Sequence, residues 1–305
     1  MTIESLDIEL SETTLSVPYL NIKGDRPGPH LTVIAGVHGT EYTSIAAARE
    51  FARSLDATAV RGTITVAPLV NPAAFWARAP FVVPMDGNNL NRSFPGKPDG
   101  SAAEVLAHHL SRTFIEPTDY LLDLHAGDLP EALEPFALYD ESPVEAQARE
   151  MAIAYGLGHV VRQTRAARTV GGSTSAVAAD LGKPAITAES GQNGILDRAA
   201  IDRHLAGLAG VCAHLGLLPG APTNSTQPRE HEGWHWLRTP VAGWWEPAVS
   251  VGQPVAAGEL IGVVGEVLGD RRHEVHAPEA GVPLFVTTSP AVVADGLLMG
   301  IARGL

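Results

Sequence analysis

The sequence predicts an α/β fold with a mixed, largely parallel central sheet, helices on both of its faces, and a small all-β domain at the C-terminal end. Three observations carry this reading. Up to Leu217, short apolar or β-branched runs alternate with amphipathic helical segments, the pattern of a layered fold with parallel strands. Residues 219–229 are then rich in Pro, Gly, Ser and Thr and read as a linker. Beyond them helical periodicity stops, and short β-like runs separated by turns take over. The expected domains are residues 1–222 and residues 223–305, the second a small β-barrel or sandwich.

In chain order, residues 31–36 form an apolar run ending in glycine, as a buried strand does. A polar stretch follows, then an amphipathic helix over 45–55 and a β-branched strand over 62–70. Residues 71–100 are rich in Pro, Gly and Asn and read as a long loop, a feature usually kept for function. Residues 102–115 are helical, and the strand 120–124 stops at His125. Helices over 144–155 and 174–181 alternate with strands over 158–163 and 184–188, and a helix over 197–217 closes this part. The second part holds β-like runs at 234–237, 243–246, 259–264, 274–276 and 282–287.

Composition narrows the function classes. The chain has 305 residues, a length that fits one large domain with an appendage. It carries 21 basic against 34 acidic residues, a net charge of −13. That balance opposes nucleic-acid binding, which needs a basic footprint, and opposes attraction to anionic lipid. The single cysteine, Cys212, excludes an intramolecular disulfide and a Cys-rich zinc module. It lies in an apolar helical run and reads as a buried small hydrophobe. The first residues lack a basic start and an apolar core, so no signal peptide is expected, and no apolar run is long enough to span a bilayer. The expectation is a cytoplasmic protein, with self-association left open.

Several residues then stand where chemistry is usually placed. His38 and Glu41 lie three apart just past one strand end, and His125 just past another. Ligands in α/β folds bind at the carboxyl ends of parallel strands. Two imidazoles and a carboxylate make the three-ligand set of a catalytic zinc, which activates water and polarises a carbonyl. Asp123 is expected to reach His125 only if the chain bends there. Glu189, at a third strand end, has the chemistry to take a proton from water and pass it to a leaving nitrogen. The long loop contributes Arg78, suited to stabilising an oxyanion, and the adjacent pair Asn91 and Arg92, suited to gripping a carboxylate.

In order, the chain reads Gly36-Val-His-Gly-Thr-Glu41, Asn71-Pro-Ala-Ala-Phe75, Asp86-Gly-Asn-Asn-Leu-Asn-Arg-Ser-Phe-Pro-Gly96, Asp123-Leu-His125 and Glu189-Ser-Gly191. This set resembles the succinylglutamate desuccinylase/aspartoacylase family, relatives of the zinc carboxypeptidases. Its Phe-Pro-Gly loop is most similar to the subgroup that includes N-acetyl-diaminobutyrate deacetylases. The resemblance implies one Zn2+ held by His38, Glu41 and His125, with Glu189 as general base and acid. It also implies Arg78 at the carbonyl oxygen and Asn91 with Arg92 at a substrate carboxylate. The implied activity is deacylation of an N-acyl amino acid or a related small metabolite. A metallocarboxypeptidase acting on a peptide or cell-wall fragment and a non-catalytic metal-binding protein are the other readings.

The remaining candidates read as structural. His108, His109, His204 and His214 sit on helices, at surface or partly buried positions. His231, His235, His273 and His276 lie at irregular spacing in the β part. Trp234, Trp236, Trp244 and Trp245 are expected in the β core or at the domain interface. Arg162, Arg165 and Arg168 read as a solvated charge cluster, with contact to an acidic substrate the alternative. Residues 249–262 resemble the first hairpin of biotinyl/lipoyl-like domains, but no lysine follows Lys183, which excludes a lysine-attached carrier. Gly171-Gly-Ser-Thr-Ser175 lacks the Gly-x-Ser-x-Gly elbow of serine hydrolases.

Overall fold

A computed structural model describes residues 2–10, 13–167, 172–220, 227–269 and 272–304. The first part contains β1 (Thr2–Leu10), β2 (Thr13–Lys23), β3 (Arg26–Ala35), α1 (Tyr42–Ser54), β4 (Arg61–Ala67), α2 (Pro72–Ala77) and α3 (Ala102–Leu110). It continues through β5 (Tyr120–His125), β6 (Glu131–Leu133), β7 (Phe136–Asp140), α4 (Glu145–Tyr155), β8 (His159–Gln163), α5 (Thr174–Asp180), β9 (Ala185–Glu189) and α6 (Arg198–His214). The rest is β10 (Arg229–His231), β11 (Gly233–Arg238), β12 (Gly243–Pro247), β13 (Leu260–Gly265), β14 (Arg272–His276), β15 (Gly281–Thr287), β16 (Ala291–Val292) and β17 (Leu297–Arg303).

The central sheet runs β1-β2-β4-β3-β5-β9-β7-β8-β10. Its middle strands β4, β3, β5 and β9 are parallel, while β7 runs antiparallel to β9 and parallel to β8. This is the mixed, largely parallel sheet expected. Residues of α1, α4 and α6 pack in the core on one face, and residues of α3 and α5 in the core on the other. The middle strands are therefore covered on both sides, which is why their sequences are continuous apolar runs.

The loop expected over 71–100 is partly ordered into secondary structure. Asn71 caps α2 with its side chain on the Ala74 N–H, and Pro72 occupies the first helical turn. Ser101 and Glu104 form a reciprocal capping box at the start of α3.

The C-terminal part forms two four-stranded sheets, β11-β17-β15-β6 and β14-β13-β12-β16. Trp245, Val264, Val286, Leu298 and Ile301 share the core of this sandwich. The two parts interlock across residue 222. β6, from the first part, completes a small sheet by pairing with β15, and β10 joins the central sheet beside β8. A separate cluster that includes Leu133, Phe136, Val161, Trp234 and Leu284 joins the two parts. No helix among the described residues is long and apolar enough to cross a membrane.

Candidate metal centre and active-site cavity

The loop after β3 turns sharply at Gly36, where φ is +70°. Asn71 ties this loop down, its side-chain N–H donating to the Val37 carbonyl at 3.1 Å. A Cβ on Gly39 would lie 2.2 Å from the Phe75 nitrogen, so α2 fits against the loop only because that position is glycine. His38 and Glu41 are thereby carried on a backbone held at both ends. Glu41 stands at the N-cap of α1 but makes no capping hydrogen bond with its side chain, which leaves its carboxylate for the site. His125 is the last residue of β5 and is level with Glu189, the last of β9, in the parallel ladder.

The three expected ligands meet. One nitrogen or oxygen from each of His38, Glu41 and His125 lies within 4.8 Å of the others, and all three residues are buried. His38 Nδ1 is 2.6 Å from Glu41 Oε1, and His125 Nδ1 is 2.9 Å from Glu41 Oε2. The outer nitrogens are both anchored. His125 Nε2–H donates to Asp123 Oδ2 at 3.0 Å, and His38 Nε2 lies 3.2 Å from Asn89 Oδ1, which also accepts the Asn91 N–H. Acceptors at both Nε2 positions leave both Nδ1 lone pairs directed at the centre. Burial would push Glu41 up, but His125 and His38 bring it down to about 2, so it is ionised as a metal ligand must be. The donor set fits a single divalent zinc-like ion.

No bend is needed to bring Asp123 to His125. Side chains two apart on a strand share a face, so the two meet without the bend expected from the sequence. Asp123 also accepts the hydroxyl of Thr174. His204 departs from its expected place as well. It is fully buried, its Nε2 lies 3.1 Å from the carbonyls of both His125 and Ser190, and its Nδ1 is 2.6 Å from the Tyr155 hydroxyl. It thus ties together the strand ends that carry His125 and Glu189.

These residues open onto a cavity of about 530 Å³, also lined by Glu189, Asn91 and Arg92. Burial pushes the Glu189 carboxyl up to about 8, and its Oε2 has no hydrogen-bond partner among the described residues. Arg92 donates to the Asn91 carbonyl at 2.8 Å, and Asn91 Oδ1 accepts the Thr174 N–H at 3.3 Å. Burial lowers the pKa of Arg92, and the charge of Glu131 is the strongest influence opposing this. One wall belongs to the small sheet: Trp234 and Trp236 of β11, Phe285 and Thr287 of β15, and Glu131 and Leu133 of β6.

Arg78 is not brought to this cavity. It ends α2 in the left-handed region at φ 53°, exposed to solvent, because the helix within the loop carries it outward. Asn89 and Glu131 were not singled out by sequence, and His204 was read only as a surface or partly buried helical position. Asn89 sat inside the Asn-Leu-Asn-Arg string, whereas Glu131 and His204 had no local signal.

The other expectations divide. Arg162 pairs with Glu145 at 2.8 Å and Arg165 with Asp180 at 3.0 Å, away from the cavity, and Arg168 lies outside the described residues. Cys212 is fully buried, and burial pushes its thiol up to about 12. His231 pairs with His159, His235 with Glu279 and His276 with Glu274, so these histidines do not converge. Trp245 and Trp234 are buried, but Trp244 is 45% exposed and belongs to neither core nor interface.

A sequence model of the succinylglutamate desuccinylase/aspartoacylase catalytic domain matches residues 27–215. The chain is 30% identical over 242 residues to the N-alpha-acetyl-L-2,4-diaminobutyric acid deacetylase of Halomonas elongata, covering 77% of this chain and 70% of that protein. The product-bound structure of the ectoine utilization protein EutE from Ruegeria pomeroyi superimposes with a TM-score of 0.88 at 25% identity, over 99% of this chain and 94% of that one. The fold is also that of a succinylglutamate desuccinylase/aspartoacylase from Rhodobacter sphaeroides, with a TM-score of 0.89 at 23% identity, over 100% and 95% of the two chains. The chain belongs to the succinylglutamate desuccinylase/aspartoacylase family.

Proposed function

We propose that this protein is a zinc-dependent amidohydrolase that removes the acyl group from an N-acylated amino acid. The observation that carries the reading is the buried His38–Glu41–His125 donor set opening, beside Glu189, onto a cavity of small-molecule size. Zinc held there would supply Lewis-acid activation of water and polarisation of the amide carbonyl. The chain's own residues do the rest. Asp123 and Asn89 fix the two imidazoles with Nδ1 inward. Glu189 faces the cavity with a free oxygen and a proton affinity raised by burial, properties suited to taking a proton from water and giving it to the departing amine. Arg92 presents its guanidinium at the cavity wall to the substrate carboxylate, with Asn91 beside it. A volume of about 530 Å³ suits a small metabolite better than an extended peptide.

Two substitutions test this on purified protein. His38→Ala is expected to lose both bound zinc and hydrolysis of an N-acetyl amino acid panel. Glu189→Gln is expected to keep zinc while turnover falls by at least about 100-fold, the usual range of general acid–base catalysis. Full turnover in Glu189→Gln removes its assigned role. Absence of any divalent metal in active wild-type protein removes the mechanism as a whole.

A further inference from the structure

His125 ends β5 and Glu189 ends β9, the last pair in the parallel ladder between those strands. Two carbonyls stand at this point, those of His125 and Ser190, and both lie 3.1 Å from a single atom, Nε2 of His204 on α6. A carbonyl can only accept, so Nε2 carries a proton and shares it between the two. Burial brings His204 down to about 4, so the ring is neutral near neutral pH and its Nδ1 is an acceptor. Burial also holds the Tyr155 phenol well above its ordinary value, and its O–H donates to Nδ1 at 2.6 Å.

The helices are shaped to allow this contact. Tyr155 ends α4, and its ring lies on Gly207 of α6, where a Cβ would fall 2.3 Å from Tyr155 Cε1. Further along α6, a Cβ on Gly210 would lie 2.3 Å from the Ala154 carbonyl oxygen. The two glycines let α4 and α6 approach until the phenol reaches the imidazole. Tyr155 and His204 are both buried, and a buried imidazole is costly unless its nitrogens are paired, as both are here.

Satisfying two carbonyls does not explain this histidine. The His125 carbonyl already accepts the Ser190 N–H at 3.2 Å, and the Ser190 carbonyl accepts the Thr43 hydroxyl at 2.9 Å. What a shared proton adds is a fixed distance between the two strand ends. Thr43 lies in the first turn of α1, two residues past Glu41, so the same carbonyl also ties in the element that carries the carboxylate of the metal centre.

We propose that His204 is a positioning residue for hydrolysis: its shared Nε2–H fixes the spacing between the candidate zinc ligand His125 and the proton-transfer group Glu189, and Tyr155 locks the ring in the orientation that does so. For its effect on turnover the proposal rests on the deacylase reading above. His204 lies behind the cavity wall and touches no substrate, so its loss leaves the binding contacts in place. A displacement of about 1 Å at a reacting group can lower a rate about 100-fold. The effect therefore belongs in kcat, with KM unchanged.

Two variants of like polarity separate reach from packing. His204→Gln places an amide N–H as many bonds from Cβ as Nε2 is, and His204→Asn falls one bond short of the carbonyls. On zinc-loaded protein and a panel of N-acyl amino acids, His204→Asn is expected to lose at least about tenfold in kcat at unchanged KM, and His204→Gln to recover most of it. Tyr155→Phe frees the ring to turn and is expected to fall between the two; it carries the test where His204→Asn does not fold. Wild-type kcat in every folded variant, or equal losses in His204→Asn and His204→Gln, overturns the proposal. Cobalt-loaded protein gives a readout independent of turnover, since its visible absorption follows the geometry of the ligands. That spectrum is expected to change in His204→Asn and to return in His204→Gln. Such a change in a protein that hydrolyses no N-acyl amino acid retains the tie to His125 and rejects the deacylase reading. Hydrolysis at the wild-type kcat, with an unaltered spectrum in every folded variant, does the reverse.

Discussion

Asp123 is fully buried and accepts from two groups, the imidazole of His125 and the hydroxyl of Thr174. Its contribution is to keep the proton of His125 on Nε2 and the lone pair of Nδ1 turned inward. Asp123→Asn removes the charge that enforces this tautomer while preserving shape. Zinc affinity, measured by competition with a chelator, is expected to fall about 10- to 100-fold, the usual effect of losing such a supporting group. Unchanged affinity would show that packing alone orients His125. Individual residues were unequally legible. His38, Glu41, His125 and Glu189 could be found because each sits where a strand stops. Asp123 was legible too, once the two-residue period of a strand is applied. Arg78 was not, because the direction of a loop side chain depends on where the loop packs. His204 was not, because position on a helix reveals which face a residue occupies but not how deep that face is buried.

The elements show the same division between local and distant causes. β3, β5 and β9 could be read from continuous apolar runs because both faces of the sheet are covered. The β1–β2 hairpin was not read. Much of β2 is exposed and only Val17, Leu20 and Ile22 are buried, a weak signal next to the core strands. β6 has three residues, and its strand character comes from pairing with β15, more than 140 positions along the chain. The ligand-bearing loop shows how an element constrains the site. Gly39 touches α2 so closely that even a methyl group meets backbone atoms of Ala74 and Phe75. Gly39→Ala must therefore shift the loop or the helix, at a cost of about 1–3 kcal/mol in stability. The expected result is a lower unfolding midpoint together with weaker zinc binding, since His38 lies next to the displaced residue. A fully stable variant with wild-type zinc affinity would mean that α2 yields instead.

At the scale of the whole molecule, the two parts are held together by buried neutral histidines as well as by apolar contact. His159 on β8 and His231 on β10 lie side by side, Nδ1 to Nε2 at 2.9 Å with rings stacked. Burial, then His231 and Arg229, brings His159 down to about 4, and burial followed by Arg229 lowers His231. Burial likewise brings His204 down to about 4. The native state refuses protons that the unfolded chain accepts near the ordinary histidine value of 6.5. Stability from these sites is therefore complete above about pH 6.5 and is lost as the pH falls towards 4. The pair stands where β10 joins the central sheet, so acid should loosen that junction before the parallel core. Near pH 5, amide exchange at residues 229–231 is expected to accelerate more than exchange in β5. His159→Gln removes one of the titrating groups from the pair. It should narrow the difference between denaturant midpoints measured at about pH 7.5 and about pH 5. An equal difference in wild type and variant would place the acid sensitivity elsewhere, with His204 and the metal ligands as the remaining buried imidazoles near the site.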